Sequence, residues 1–490
     1  MKKIISVFVT LMTVVALFTS CGENGAKDYD FYIFNTKGEN ADALQKAVDA
    51  YSEKTGQKIK VFSLGAGTNS ADTLRAEMNS KNMPTIFSIM NIRELDEWRE
   101  GGFALDLSTV ENAEFKTMHN EIPDNLRLTA DDKSYGIPYN VEGYGYIVDT
   151  KLLSDLFGEE NVDEFLEDFK AATYSEFETF VTKVADYIKN GTASEIVLNG
   201  NEYILKYDKT ELSKKLTGVF AVAGSEKWTY GDHMINLALN TVFATPEEAK
   251  VAGKERIESL KNPLMAYARA LDLKSSYVAG DDGVLERGAQ MINSTTNGYD
   301  AAVQRFAEHK ALFIKQGNWA YSNIEKANPD IVSTLTFLPV KMPFEDKDIS
   351  VKGLDSEKLN RSIAVFVPNY YAINAKVSKE EQEKAVDFLV WLNTTTEGEE
   401  FITKDMAFIP YNAEPSVTKL ENSLGNSIIR YMHDGDTVTN SYAGAPTNWT
   451  GETVGLEIME KYLTKKDWDE KDYEKIADYA ILRYKEMAGI

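Results

Sequence analysis

The 490-residue sequence has a single cysteine, Cys21, so no disulfide can form within one chain. Its four histidines, His119, His233, His309 and His433, lie far apart and none stands in a His-Glu-x-x-His or paired spacing, so no metal is expected. Asp434-Gly435-Asp436 begins like a calcium loop, but Val438 and Thr439 fall where ligands would stand and no glutamate closes it, so it reads as a polar turn. Gly-x-Ser-x-Gly is absent, and with the one thiol near the N-terminus the usual acyl-transfer nucleophiles have no support. Gly65-x-Gly67 lacks a third glycine and a lysine for a phosphate, so no nucleotide and no other cofactor is expected. Positive charge is also scarce. With 53 Lys and Arg against 77 Asp and Glu, a formal charge of −24 argues against nucleic acid or an anionic membrane surface as partner.

The one long apolar run is Ile4 to Phe18, behind a short basic start at Lys2 and Lys3. It has the length of a signal h-region and is short for a membrane-spanning helix. It ends in Leu17-Phe18-Thr19-Ser20-Cys21, which resembles the lipobox of bacterial lipoproteins, with Phe18 where a smaller aliphatic residue is usual. Residues 1–20 are therefore read as a signal peptide, Cys21 as the lipidation site and residues 21–28 as a polar tether. The expectation is an exported protein anchored by lipid at the outer face of the cell membrane. Loss of Lys2 and Lys3 with the leader takes the formal charge from −24 to −26.

What is present suits a large packed core: 43% apolar residues, 11% aromatic, in a chain long enough for two domains or two interleaved lobes. After the tether, strand signals at Tyr29–Phe34, Lys58–Phe62 and Pro84–Met90 alternate with helical periodicity over Ala43–Tyr51 and Thr73–Asn79. This β-α-β-α-β order predicts a parallel sheet with binding loops at the carboxyl ends of its strands, where Asn35, Thr68 and Asn91 fall. From Leu152 the pattern turns mostly helical, with helices expected over Thr173–Asn190, Lys214–Ala223, Pro246–Ala270 and Glu286–Ile292, and a hairpin of Ser194–Leu198 with Tyr203–Tyr207. Ser362–Tyr371 reads as one strand, Ser378–Asn393 as a helix, and the C-terminal part as helical.

The most informative stretch is Tyr135-Gly136-Ile137-Pro138-Tyr139-Asn140-Val141-Glu142-Gly143-Tyr144-Gly145-Tyr146. Pro138 bars a helix and the glycines allow close backbone approach, so a taut strand is expected, with Glu142, Tyr144 and Tyr146 on one face by alternation. Aromatic faces beside a carboxylate suit a ligand that has both apolar ring faces and hydroxyl donors. A sugar has both; the competing reading is that these tyrosines pack the seam between two lobes.

The order of segments resembles the extracellular solute-binding proteins of bacterial ABC importers, in particular the carbohydrate and maltodextrin binders. Cys21, Thr55-Gly56-Gln57-Lys58-Ile59, Tyr135-Gly136-Ile137-Pro138 with its continuation to Lys151, Gln316-Gly317-Asn318-Trp319-Ala320, Tyr370-Tyr371-Ala372-Ile373-Asn374 and Ala385–Leu389 carry it. The resemblance implies an α/β, two-lobed periplasmic-binding-protein (type II) architecture, with crossing strands forming a hinge and a ligand cleft between the lobes. It places residues 29–140 and 364–412 in lobe 1, and 141–363 and 413–490 in lobe 2. It also implies a carbohydrate ligand, delivery to an ABC permease, no catalysis and a monomer. Within it Glu142 would contact sugar hydroxyls, Trp319 would stack on a sugar ring, and Trp449 is matched to an aromatic in the loop before the last helices. Tyr139, Tyr144, Tyr371 and Trp228, beside Tyr230, complete the candidate set with Asn35, Thr68 and Asn91, whereas Trp98 and Trp391 read as packing residues and Trp468 as a surface or helix-docking residue. Two other readings stay open: an exported glycoside-active enzyme, which needs a second acid facing Glu142, and a binder of a non-sugar solute such as a peptide, amine or anion.

Overall fold

The computed structural model describes residues 27–64, 70–205 and 209–490. Residues 1–26, which hold the expected signal peptide, Cys21 and most of the expected tether, and Thr68 lie outside the described residues.

Two mixed sheets organise the chain. In the first, the strands run in the order Ile59–Ser63, Phe31–Asn35, Ile86–Ile89, Tyr370–Ile373, Lys133–Pro138, Leu128–Ala130. Phe31–Asn35 pairs in parallel with both of its neighbours and is buried at every position, as a central parallel strand covered on both faces must be. In the second sheet the order is Val284–Leu285, Val278–Ala279, Gly218–Ala221, Ala311–Gly317, Glu142–Asp149, Ile363–Phe366, Thr437–Val438. Leu335–Leu338 shares an edge of Glu142–Asp149 with Ile363–Phe366: the first pairs with its C-terminal half, the second with its N-terminal half.

The stretch expected as one crossing strand is two. Lys133–Pro138 belongs to the first sheet and Glu142–Asp149 to the second, with Tyr139-Asn140-Val141 crossing between them. Pro138 has no N–H to extend its ladder, and the chain leaves the sheet there. Ser362–Tyr371 divides the same way, into Ile363–Phe366 and Tyr370–Ile373 on either side of Val367-Pro368-Asn369. Residues 364–366, expected in lobe 1, thus pair in the second sheet. The crossings are tied to each other: Tyr139 N donates to Asn369 O at 3.0 Å, Val141 N to Ile409 O at 2.9 Å, and Ile409 N to Asn140 Oδ1 at 2.9 Å. Gly136 permits this packing, because a Cβ there would stand 2.6 Å from Cβ of Tyr370.

Three helix expectations are corrected. Lys214–Ala223 is a short 3-10 turn, Ser213–Lys215, followed by strand Gly218–Ala221, which lies between two neighbours in the sheet and is wholly buried, so β-branched and aromatic Val219 and Phe220 pack on both faces. Pro246–Ala270 is three helices, Pro246–Lys250, Lys254–Glu258 and Lys261–Ser276. Glu286–Ile292 is turns, opened by Gly288 at φ +149°.

Candidate ligand cleft

The second sheet and its helices present an aromatic face toward the first. Trp319 stands on the turn Asn318–Ala320 that ends strand Ala311–Gly317. Its ring folds back over Gly317, where a Cβ would lie 2.1 Å from the indole, so the Gly-x-Trp spacing has a steric reason. Its Nε1 donates to Gln316 Oε1 at 3.1 Å, which fixes the ring. Trp228 opens helix Lys227–Leu239 and donates from Nε1 to Glu226 Oε2 at 3.2 Å. Between the two indoles sits His233, with centroids 5.2 Å from Trp228 and 5.0 Å from Trp319, and Tyr442 lies 6.2 Å from it. Both tryptophans and Tyr442 are half-buried, which leaves ring surface open to a ligand.

A carboxylate completes this face. Asp232 lies one helical turn beyond Trp228 and so on the same side of the helix. It accepts from the Thr450 hydroxyl, and burial raises its pKa above the usual carboxylate value, opposed by that hydrogen bond and by the Gly451 N–H. Beneath it, Tyr144 stacks on His233 at 4.4 Å and donates to Asn440 Oδ1 at 3.2 Å. Lys315 Nζ lies 4.8 Å from the Tyr144 ring centroid and donates to Thr229 O at 2.9 Å. Burial drives His233 well below its ordinary pKa, with Lys315 and Lys274 acting in the same direction, so it is a neutral support for the indoles.

Several expected site residues serve other ends. Glu142 faces Lys37, in the turn that follows strand Phe31–Asn35 of the first sheet, in a half-buried ion pair at 3.1 Å and also accepts from Asn140 Nδ2 at 3.2 Å. Asn35 is buried, and its amide is taken up by Lys37 N and O, Ser63 Oγ and the Tyr139 hydroxyl. Tyr139 and Tyr371 meet edge-to-face at 4.3 Å in the crossing region, both buried. Asn91 remains at the cleft, where its Oδ1 caps helix Ile92–Glu100 by accepting from Arg93 N and Glu94 N. Trp449 is a correction: it is 0% exposed, donates from Nε1 to Ala480 O at 2.8 Å and packs on Tyr484 at 4.8 Å, because the helical segments around it close over the ring. Trp98 and Trp391 are buried in the core, and Trp468 docks through Nε1 on Tyr462 O beneath the Arg287 guanidinium.

Sequence reasoning missed Asp232, His233, Tyr442 and Arg93. For the first of these a signal existed, in the i, i+4 spacing of Trp228 and Asp232; Tyr442 and Arg93 reach the cleft only through tertiary packing.

Two α/β sheets joined by paired crossings, with rings and a carboxylate facing the space between them, define a hinged solute-binding protein. The sequence profile of the bacterial extracellular solute-binding protein family matches residues 46–419, and the chain belongs to that family. No curated protein sequence matches it significantly. Among solved structures it is similar to the putative binding protein MsmE of Bacillus subtilis in an open conformation, at 14% identity over 93% of this chain and 97% of that one, with a TM-score of 0.60. It is similar also to RafE of Streptococcus pneumoniae in its apo form, at 14% identity over 94% and 97% with a TM-score of 0.59. A cyclo/maltodextrin-binding protein complexed with maltotetraose matches at 14% identity over 94% and 98%, with a TM-score of 0.54. At these identities the likeness is one of fold, and the fold is the two-lobed type II periplasmic-binding architecture. Among the described residues no helix is long and apolar enough to cross a membrane, and no cluster of three or more His, Cys, Asp or Glu could hold a metal ion.

Proposed function

We propose that this protein captures a neutral carbohydrate in the interlobe cleft and delivers it to the permease of an ABC importer. It binds without chemistry, acts as a monomer, and is held at the outer face of the cell membrane by a lipid on Cys21 once residues 1–20 are removed. Its lobes follow the two sheets, close to the 29–140 and 141–363 division, and move about the crossings at Tyr139–Val141 and Val367–Asn369. The observation that carries this reading is the pairing of Trp228 with Asp232 one helical turn apart, flanked by Trp319 and Tyr442. The C–H faces of a pyranose stack on such rings, while a carboxylate accepts two of its hydroxyls. Hydroxyl donors would also stabilise the ionised form of Asp232, against the burial that raises its pKa. Asn91 faces this group from the other lobe, and Thr68, outside the described residues, is kept as a candidate on its sequence position alone. The sugar-bearing relative supports the same class: the cyclo/maltodextrin-binding protein is complexed with maltotetraose.

The test is a thermal-shift and tryptophan-fluorescence titration of a lipid-free chain that starts after Cys21, against mono- and oligosaccharides, polyols and amino acids. A ligand at a hundred times its Kd stabilises the native state by about 2.7 kcal/mol, so the melting point should climb with sugar concentration. The response should be lost in Trp228→Ala and Asp232→Asn, with the sugar recovered intact. Silence to every sugar, or conversion of one, would overturn the reading.

A further inference from the structure

Arg93 follows Asn91 on the first turn of helix Ile92–Glu100 and reaches across the cleft. Its Nε donates to Ala445 O and its Nη2 to Gly444 O, both at 2.6 Å, on the turn that follows Tyr442. That turn is fixed from behind, because a Cβ on Gly444 would stand 1.7 Å from Pro246 O, so the two carbonyls cannot drift from the guanidinium. One helical turn on, Asp96 binds Lys250 of the opposing lobe at 2.5 Å.

On either side of this bridge lies a cavity. One, of about 350 Å³, is lined by Trp228, Asp232, Tyr442 and Thr450, the members of the aromatic and acidic face that border it, whereas Trp319 is not among its lining residues. The other, of about 320 Å³, is lined by Phe366, Tyr370, Leu128, Asn125, Asn440 and Thr129, a mixture of ring faces and polar groups of the same kind. The two share Asn91, Tyr442 and Ala443 as a common wall, and the Arg93 bridge lies in that wall.

We propose that Arg93 is a specificity-determining gate that divides the cleft, confines the bound saccharide to the Trp228–Asp232 chamber, and thereby sets an upper limit on chain length. The inference rests on the carbohydrate reading. A volume near 350 Å³ is at the low end of the roughly 300–1,000 Å³ typical of small-molecule sites, so a short saccharide fills it, and further units gain contacts within the cleft only past the bridge. The gate is a main-chain contact, two guanidinium donors on two carbonyls. Truncating Arg93 merges the chambers without removing a ring or acid from either. Once merged, Phe366, Tyr370 and Asn440 offer the added sugar unit a second set of stacking and amide contacts.

The experiment is calorimetric titration of the full chain, purified in a detergent that carries no sugar, with glucose, maltose, maltotriose and maltotetraose and with raffinose and stachyose. Wild type should favour the shorter member of whichever series binds. In Arg93→Ala the ratio of short-chain to long-chain Kd should shift toward the longer sugar by about tenfold or more, with Arg93→Gln, which keeps reach to one carbonyl, in between. Sugar binding with the same length ranking in all three proteins, or weakened equally at every length, overturns the gate and leaves the carbohydrate reading standing. No binding of any of these sugars by wild type or variants overturns both.

Discussion

Trp449 and Trp319 separate the two jobs a tryptophan can do here. Trp449 is wholly enclosed, with Nε1 on Ala480 O and its ring against Tyr484. Truncation to Ala removes a fully buried indole, which costs about 3–5 kcal/mol, and strands the Ala480 carbonyl, adding about 1 kcal/mol. For a unit of this size the sum corresponds to a fall of roughly 10–20 °C in melting point. Trp319 is half-buried, and its truncation should cost less than about 2 kcal/mol. Urea unfolding followed by circular dichroism gives both stabilities, and sugar titration at 10 °C, where the weaker variant still folds, gives both affinities. Trp449→Phe keeps most of the volume and isolates the lost hydrogen bond. A Trp449→Ala protein within about 1 kcal/mol of wild type that cannot bind sugar would refute this division, because the ring would then act at the cleft.

Trp228→Ala and Trp319→Ala should each weaken sugar binding by about 2 kcal/mol, some thirtyfold, read by calorimetry; an unchanged Kd in both would remove the aromatic face from the site. Lys37→Met and Glu142→Gln should show a coupling of about 1 kcal/mol in a double-mutant cycle of unfolding, since the pair is half-buried and joins the two sheets. Additive effects would mean that the pair is incidental. Gly444→Ala should destabilise by about 1–3 kcal/mol because its Cβ cannot coexist with Pro246 O without backbone movement; a melting point equal to wild type would show that the turn is freer than its packing implies.

The two-lobed class was legible because strand and helix alternate cleanly at the start and because the loose motifs fall in a fixed order along the chain. Trp319 could be found for a local reason, the Gly317 on which its ring lies. Glu142 misled for a reason that is not local. On the crossing strand it looks like an unpaired acid, and only the fold brings Lys37, 105 residues away, to neutralise it. Asn35 failed similarly: at the carboxyl end of a parallel strand its amide was open on paper, but in three dimensions three neighbours, Lys37, Ser63 and Tyr139, claim it through four hydrogen bonds. Lys214–Ala223 was misread because a strand buried on both faces has no period-two pattern, so a run of apolar residues fits a helix equally well.

Lys274 supplies a test of the core beneath the cleft. It is 2% exposed, and its nearest hydrogen-bonding neighbour among the described residues is the Met234 sulfur at 4.0 Å. Burial brings its pKa down from 10.5 to about 7, and Lys315 and His233 are its titratable neighbours on the sheet and on helix Lys227–Leu239. In the unfolded chain the amine stays protonated up to 10.5, so between about pH 7 and 10.5 the unfolded state holds the extra proton and stability must rise with pH. Below 7 both states are charged and the penalty is constant, on the order of 5 kcal/mol as a ceiling at 1.36 kcal/mol per unit. Lys274→Met should therefore be several kcal/mol more stable than wild type at pH 7. Its advantage should shrink by about 1.4 kcal/mol per pH unit and disappear near 10.5, the other titrating groups cancelling in the difference. Unfolding curves at pH 7, 8, 9 and 10 measure that slope directly. Parallel stability profiles for the two proteins would mean that the ammonium keeps its charge inside the lobe through a partner strong enough to replace water.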